Sequence, residues 1–139
     1  AGLQSLGLPT HSLDVTGYVD DPVPYLRETA AFLVPLLAGG GMRVKIVDGW
    51  RWGLPIVSTT VGAEGIRYEA GRHLLIADKP EAFAAAVIRL LKDRQLQDDL
   101  GGAGRAWVQT QYHWRTVYTR WEEIYARACL RRLELENRL

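Results

Sequence analysis

Residues 31–59 read Ala31-Phe32-Leu33-Val34-Pro35-Leu36-Leu37-Ala38-Gly39-Gly40-Gly41-Met42-Arg43-Val44-Lys45-Ile46-Val47-Asp48-Gly49-Trp50-Arg51-Trp52-Gly53-Leu54-Pro55-Ile56-Val57-Ser58-Thr59. Residues 31–35 form a continuous apolar run, which suits a strand covered on both faces. The run leads into three successive glycines, after which a helix is expected over 42–52. Gly53-Leu54-Pro55 stops that helix, and residues 56–59 read as a second buried strand. Strand, helix, strand in this order means a right-handed crossover and a parallel pair. The glycines leave backbone N–H groups bare at the positive end of the helix dipole, where a phosphate can sit. Helical spacing puts Gly41, Lys45 and Asp48 on one face. A cation and a carboxylate then lie below an anion cradle made by Gly39, Gly40, Gly41 and Met42.

Upstream, residues 13–19 (Leu13-Asp14-Val15-Thr16-Gly17-Tyr18-Val19) read as a short strand and its exit loop. Asp20-Asp21-Pro22 then opens a brief helix, with an Asp cap before a first-turn Pro. Downstream, residues 61–66 are a loop, 68–72 a turn and 73–77 a further strand. Asp78-Lys79-Pro80-Glu81 fits a capping box. Phe83, Val87, Leu90 and Leu91 recur at the spacing of an amphipathic helix. Asp93 caps a following helix, which Gly101, Gly102 and Gly104 weaken by about 1 kcal/mol each relative to Ala. From His113 onward, Trp114, Val117, Tyr118, Trp121, Ile124, Tyr125 and Ala128 make a broad apolar stripe on a last helix. The charged tail at 131–136 is expected to fray.

The fold expected is α/β: a partial Rossmann-like parallel sheet of about four strands, flanking helices and a long C-terminal aromatic helix. The chain divides into residues 1–112, carrying the sheet, and residues 113–139, carrying the crossing helix and tail. Ligands of such sheets bind beyond the carboxyl ends of the strands. The loops leaving those ends are 19–21, 35–41 and 59–65, and the last two carry glycine together with charge.

The chain has 139 residues, 47% of them hydrophobic, which is one domain's worth of core. A net charge of +1 gives no electrostatic footprint for nucleic acid. The lone Cys129 has no partner for an internal disulfide and belongs to no CxxC pair. No apolar run approaches the roughly 20 residues that span a bilayer. The start, Ala1-Gly2-Leu3-Gln4, has neither an initiator Met nor the regions of a signal peptide, so a segment of a longer chain is expected.

Other chemistries fit less well. Lys45 is neither preceded by Gly nor followed by Ser or Thr, so the Walker pattern fails, and Val44 stands where GxGxxG needs its third glycine. His11, His73 and His113 lack metal-ligand spacing, and no GxSxG elbow is present. Against the phosphate cradle stands the plainer reading of a flexible strand-to-helix turn. Lys45 and Asp48 also fit an ordinary i, i+3 surface pair worth a few tenths of a kcal/mol. Arg43 faces elsewhere, about 200° round the helix from Lys45. Glu64 reads either as a turn carboxylate or as a substrate-side group. Trp50 and Trp52 read as packing at the helix end.

The order Val15-Thr16-Gly17-Tyr18-Val19-Asp20-Asp21, Phe32-Leu33-Val34-Pro35-Leu36, residues 40–48, residues 53–59, Gly62-Ala63-Glu64-Gly65-Ile66 and His73–Asp78 resembles the C-terminal domain of a family-4 glycosyltransferase of the GT-B fold. The resemblance covers roughly residues 13–128. It implies a hexosyltransferase-type enzyme whose donor is a nucleoside-diphosphate sugar, retaining in mechanism, without a metal or other cofactor. It implies a second, acceptor-binding domain that packs on the last helix, leaving aromatic surface exposed in this segment, which alone is expected to be inactive. Gly39, Gly40, Gly41, Met42 and Lys45 would bind the donor diphosphate and sugar, and Asp48 the ribose. The loop of Tyr18, Val19 and Asp20 would meet the nucleobase. The resemblance implies a cytoplasmic protein with peripheral membrane contact open to the full-length form; acceptor, sugar and catalytic residues are not specified.

Two departures stand out. The family's first carboxylate falls on Gly40, which has no side chain, and its second is the shorter Asp48. The two opening strands of such domains, with their basic donor loop, have no counterpart in this sequence. A nucleotide-binding module without catalysis, a GT-B-like nucleotide-sugar epimerase and an interaction domain using the last helix therefore remain open.

Overall fold

The computed structural model describes residues 13–136; His11 and the N-terminal start lie outside them. The elements are α1 (Val23–Glu28), β1 (Phe32–Val34), α2 (Val44–Arg51), β2 (Ile56–Ser58), a 3-10 turn (Val61–Ala63), β3 (Leu75–Ile76), α3 (Pro80–Lys92), α4 (Arg94–Gln111) and α5 (Trp114–Glu136). The strands form one parallel sheet in the order β1-β2-β3. Phe32 pairs with Ile56 and Val34 with Ser58, while Val57 pairs with Leu75. The α/β class and parallel crossovers hold, with a sheet of three strands rather than four.

The missing strand is the one expected at 13–19, which is irregular backbone among the described residues. Its sequence has strand-like residue types, but a strand is held by the ladder bonds of a neighbour. Among the described residues β2 is the only strand beside β1. Asp21 does open α1, its carboxylate accepting from Val23 N at 2.9 Å. The third strand is shorter than expected, since residues 71–73 turn and Leu74 makes only an isolated bridge with Ala70.

Alternation along β2 splits the core in two. Ile56 joins Val34, Ile46, Trp50, Ala63, Leu74 and Val108 on one face, and Val57 joins Leu90 and Leu100 on the other. On the first face α2 buries Ile46 and Trp50, one turn apart, and Gly49 lets its backbone settle on Phe32 and Ile56. The Trp50 indole N–H donates to His73 O at 2.8 Å. The His73 ring stacks on Trp107, with centroids 4.6 Å apart, and its Nδ1 accepts from Glu69 N at 3.1 Å.

Two of the three glycines expected to weaken the fourth helix have a packing role that their low helix propensity does not disclose. α4 runs unbroken through Gly101, Gly102 and Gly104. A methyl group at Gly104 would overlap the Trp50 ring, and one at Gly101 would overlap the carbonyl of Gly53. Two of the three glycines therefore let α4 approach α2 closely, and burial outweighs their helix propensity. α5 likewise does not fray at residue 131 but stays helical to Glu136. Its aromatic face is open: Trp114, Tyr118, Trp121 and Tyr125 are all more than half exposed.

Two stability tests follow from this packing. Gly101→Ala and Gly104→Ala should each destabilise the fold by about 1–3 kcal/mol through overpacking. Gly102→Ala, which meets nothing within 4 Å, should stabilise it by up to about 1 kcal/mol, all three read by urea denaturation. Burial holds the His73 imidazole below its ordinary pKa of 6.5. The unfolded chain therefore takes up this proton first, so stability is full above pH 6.5 and falls as the pH drops below it. Urea midpoints measured at about pH 7.5 and about pH 5.5 should show that loss, and His73→Phe should flatten it.

Candidate functional site

Several clefts of similar size indent the surface, so position rather than volume selects among them. One of about 510 Å³ opens beside Ala30 and Pro55, at the amino ends of β1 and β2. One of about 520 Å³ opens at their carboxyl ends, where open α/β sheets bind ligands. The β1–α2 loop forms one wall of the second cleft, with Leu37, Ala38 and Gly39. The β2–β3 connection forms the other, with Thr60, Val61, Glu64 and Tyr68 among its residues.

Hydrogen bonds from two successive threonines, Thr59 buried and Thr60 exposed, fix both walls. The Thr59 hydroxyl donates to Leu36 O, just beyond β1, and accepts from Gly62 N at 2.8 Å in the 3-10 turn. Thr60 donates from its backbone N at 2.7 Å and its hydroxyl at 2.8 Å to the Asp78 carboxylate, tying the turn to the end of β3. The backbone bond, then the hydroxyl bond, holds Asp78 below the usual carboxylate range. Asp78 is thus not the cap of α3, whose N-cap is Lys79 without a side-chain bond. Gly62 is closed in by Ser58 Oγ and Val34 O, leaving no room for a side chain.

The glycine loop meets this turn directly. Gly65, at φ +78°, lies against the Met42 backbone. Gly41, at φ +83°, adopts a left-handed conformation that a side chain would strain. The Arg43 guanidinium is folded beneath the loop, its Nη1 donating to Gly40 O at 2.9 Å and its Nε to Val61 O at 3.3 Å. Its Nη2 is buried without a hydrogen bond, and the Glu64 carboxylate stands 3.9 Å away. An unmet buried donor costs about 1–3 kcal/mol, and its occurrence beside a cleft calls for a functional explanation.

Of the sequence-derived site residues, the structure brings Gly39 and Glu64 together across the cleft. Gly40, Gly41 and Met42 continue the loop in exposed positions, and no protein carbonyl takes their amides among the described residues. α2 begins at Val44, two residues later than expected, so Gly41 stands outside the helix and shares no helical face with Lys45 and Asp48. Lys45 is exposed in the first turn, without a partner among the described residues. Asp48 pairs with Arg51 at 3.8 Å, not with Lys45, and lines a separate groove with Tyr112 and Trp114. Tyr18 is 91% exposed, and Val19 and Asp20 sit beside it on irregular chain, away from the cleft lining. Thr59, Thr60 and Arg43 were missed by the sequence reading. A Thr-Thr pair directly after a buried strand was the available signal.

Residues 2–93 match the family of glycosyl transferases group 1. The chain belongs to that family. Among curated relatives of this glycosyltransferase domain, an uncharacterized 44.6 kDa protein in the cps region of Klebsiella pneumoniae is 28% identical over 63% of this chain and 23% of its own length. A GDP-mannose-dependent alpha-(1-6)-phosphatidylinositol monomannoside mannosyltransferase of Mycobacterium tuberculosis is 26% identical over 80% of this chain and 31% of its own. The chain thus spans less than a third of the length of these relatives. In the glycosyltransferase domain described, no helix is long and apolar enough to cross a membrane.

Removing the hydroxyl that joins the two walls gives a direct test of the site's architecture. Thr59→Val keeps the shape and strands Gly62 N, so it should cost about 1–3 kcal/mol in urea denaturation. Amide hydrogen exchange should quicken in residues 60–65 more than in α4.

Proposed function

We propose that the chain is the donor-binding half of a family-4 glycosyltransferase of the GT-B type. It would take a nucleoside-diphosphate sugar and support transfer of the sugar to an acceptor with retention of configuration. The carrying observation is the positive end of α2. Arg43 caps it, Lys45 sits in its first turn, and no acidic residue stands there. Cations at this end oppose the helix dipole by about 0.3–1 kcal/mol each. A bound diphosphate would reverse that penalty and fill the amides of Gly40, Gly41 and Met42.

In this reading the loop amides and Lys45 stabilise the charge that grows on the diphosphate as the sugar–oxygen bond breaks. Lys45 and Asp48 lie one turn apart, about 4.5 Å along the axis, so a donor with its phosphates at the loop would run past Lys45 to a ribose in the separate groove that Asp48 lines. Glu64 faces the sugar from the opposite wall, and Tyr18, Val19 and Asp20, which lie outside the cleft lining, would meet a nucleobase projecting beyond it. No metal or other cofactor is needed for this electrostatic role. The exposed aromatic face of α5 receives the acceptor-binding domain of the full protein. A cytoplasmic enzyme acting at a membrane surface accords with the lipid acceptor in the mycobacterial relative's name.

A second reading, a nucleotide-binding module without turnover, draws on Gly40, which offers no carboxylate to the sugar. Release of nucleotide from a nucleotide sugar by the intact polypeptide excludes it.

Calorimetry with GDP, UDP, GDP-mannose and UDP-glucose on the intact polypeptide tests the site. One nucleotide class should bind, and Lys45→Ala and Asp48→Ala should each weaken it about tenfold or more, some 1.4 kcal/mol. Unchanged affinity in both variants removes the assigned site.

A further inference from the structure

Arg43 is a largely buried cation at the head of α2 whose side-chain contacts beneath the cleft the donor reading leaves unused. Its side chain is only 11% exposed, against 59% for Glu64. A methyl group at Gly39 would stand 2.9 Å from its Nη2, so the guanidinium supports the loop wall from beneath. The same group holds carbonyls of both walls, Gly40 O and Val61 O. Its remaining nitrogen has no hydrogen bond and a carboxylate at 3.9 Å.

The bond to Gly40 has a consequence for the next amide. No cis peptide occurs among the described residues. In a trans peptide the C=O and the following N–H point to opposite sides. Gly40 O turned down onto Arg43 therefore turns Gly41 N–H up and away from the guanidinium. One planar fork thus orients an outward donor on one wall and reaches the carboxylate on the other. A lysine ammonium lacks the fixed fork for three acceptors in these directions.

We infer that Arg43 is the positioning residue of the donor site: it presets the Gly41 amide toward the diphosphate and steers Glu64 to accept hydroxyl hydrogen bonds from the sugar. This rests on the donor reading above. Glu64 needs to move by roughly 1 Å to bond Nη2, and its Oε1 accepts no hydrogen bond among the described residues. The carboxylate can then serve Arg43 and a sugar hydroxyl at once. A preset amide needs no reorganisation when the anion arrives.

The test uses Arg43→Met, Arg43→Lys and Glu64→Gln in the intact polypeptide. Without ligand, backbone amide NMR should show the Gly40 and Gly41 signals displaced in Arg43→Met and the α4 signals in place. Binding of GDP, UDP and their hexose conjugates should weaken at least tenfold in Arg43→Met and recover in part in Arg43→Lys. Glu64→Gln should lose the preference for a sugar nucleotide over the bare nucleotide, and Arg43→Met should lose it too. An unmoved Gly41 signal in Arg43→Met, with wild-type nucleotide binding intact, overturns the role of Arg43 alone. Sugar preference retained in Glu64→Gln overturns the steering of the carboxylate. No binding of any of these nucleotides by the wild type overturns the donor reading, and Arg43's assignment to it.

Discussion

The closeness of α2 to α4 is the constraint on which the rest of the molecule depends. Trp50 is wholly buried, and its ring occupies the space that a side chain at Gly104 would take. A turn earlier in α4, the bare Cα of Gly101 leaves room for the Gly53 carbonyl at the exit of α2. The indole N–H then fastens this helix pair to the backbone of His73, ahead of β3. With α2 held between sheet and α4, its positive end is delivered to the carboxyl edge of the strands. The site is therefore positioned by packing well below it.

Electrostatics at that end run against ordinary helix design. Helices favour carboxylates in the first turn and cations in the last, whereas α2 opens with Arg43 and Lys45. The two cations divide the work by depth. Arg43 is folded under the loop and bonded to backbone on both walls, while Lys45 is solvated and open to an incoming anion. In the proposed donor site this division separates shaping the cleft from neutralising a ligand.

Much of the architecture was legible as sequence. The apolar run at 31–35, the glycines and the Gly-Leu-Pro stop announce a parallel β–α–β unit, and β1, α2 and β2 follow in that order. The periodicity of Phe83, Val87, Leu90 and Leu91 marks α3, whose Leu90 is fully buried. Residues 13–19 were misread because strand-like composition is local while pairing is not. The glycines of α4 were read as weakness because propensity counts only the helix's own backbone. Asp78 looked like a cap because three neighbouring residues fit the pattern, yet its carboxylate is taken by Thr60 from across the sheet.

What the sequence by itself determined is the alternation of elements, the family resemblance and the identity of the loops that carry glycine and charge. Those properties are written in local residue order, periodicity and turn chemistry. Only the tertiary structure decided that Gly39 and Glu64 share one cleft, that Asp48 faces a different groove, and that Arg43 lies under the loop rather than out in solvent. Each of these depends on contacts between segments distant in the chain, such as the 18 residues separating Arg43 from Val61. Such contacts arise from the way helices settle on the sheet, which no single stretch of residues encodes.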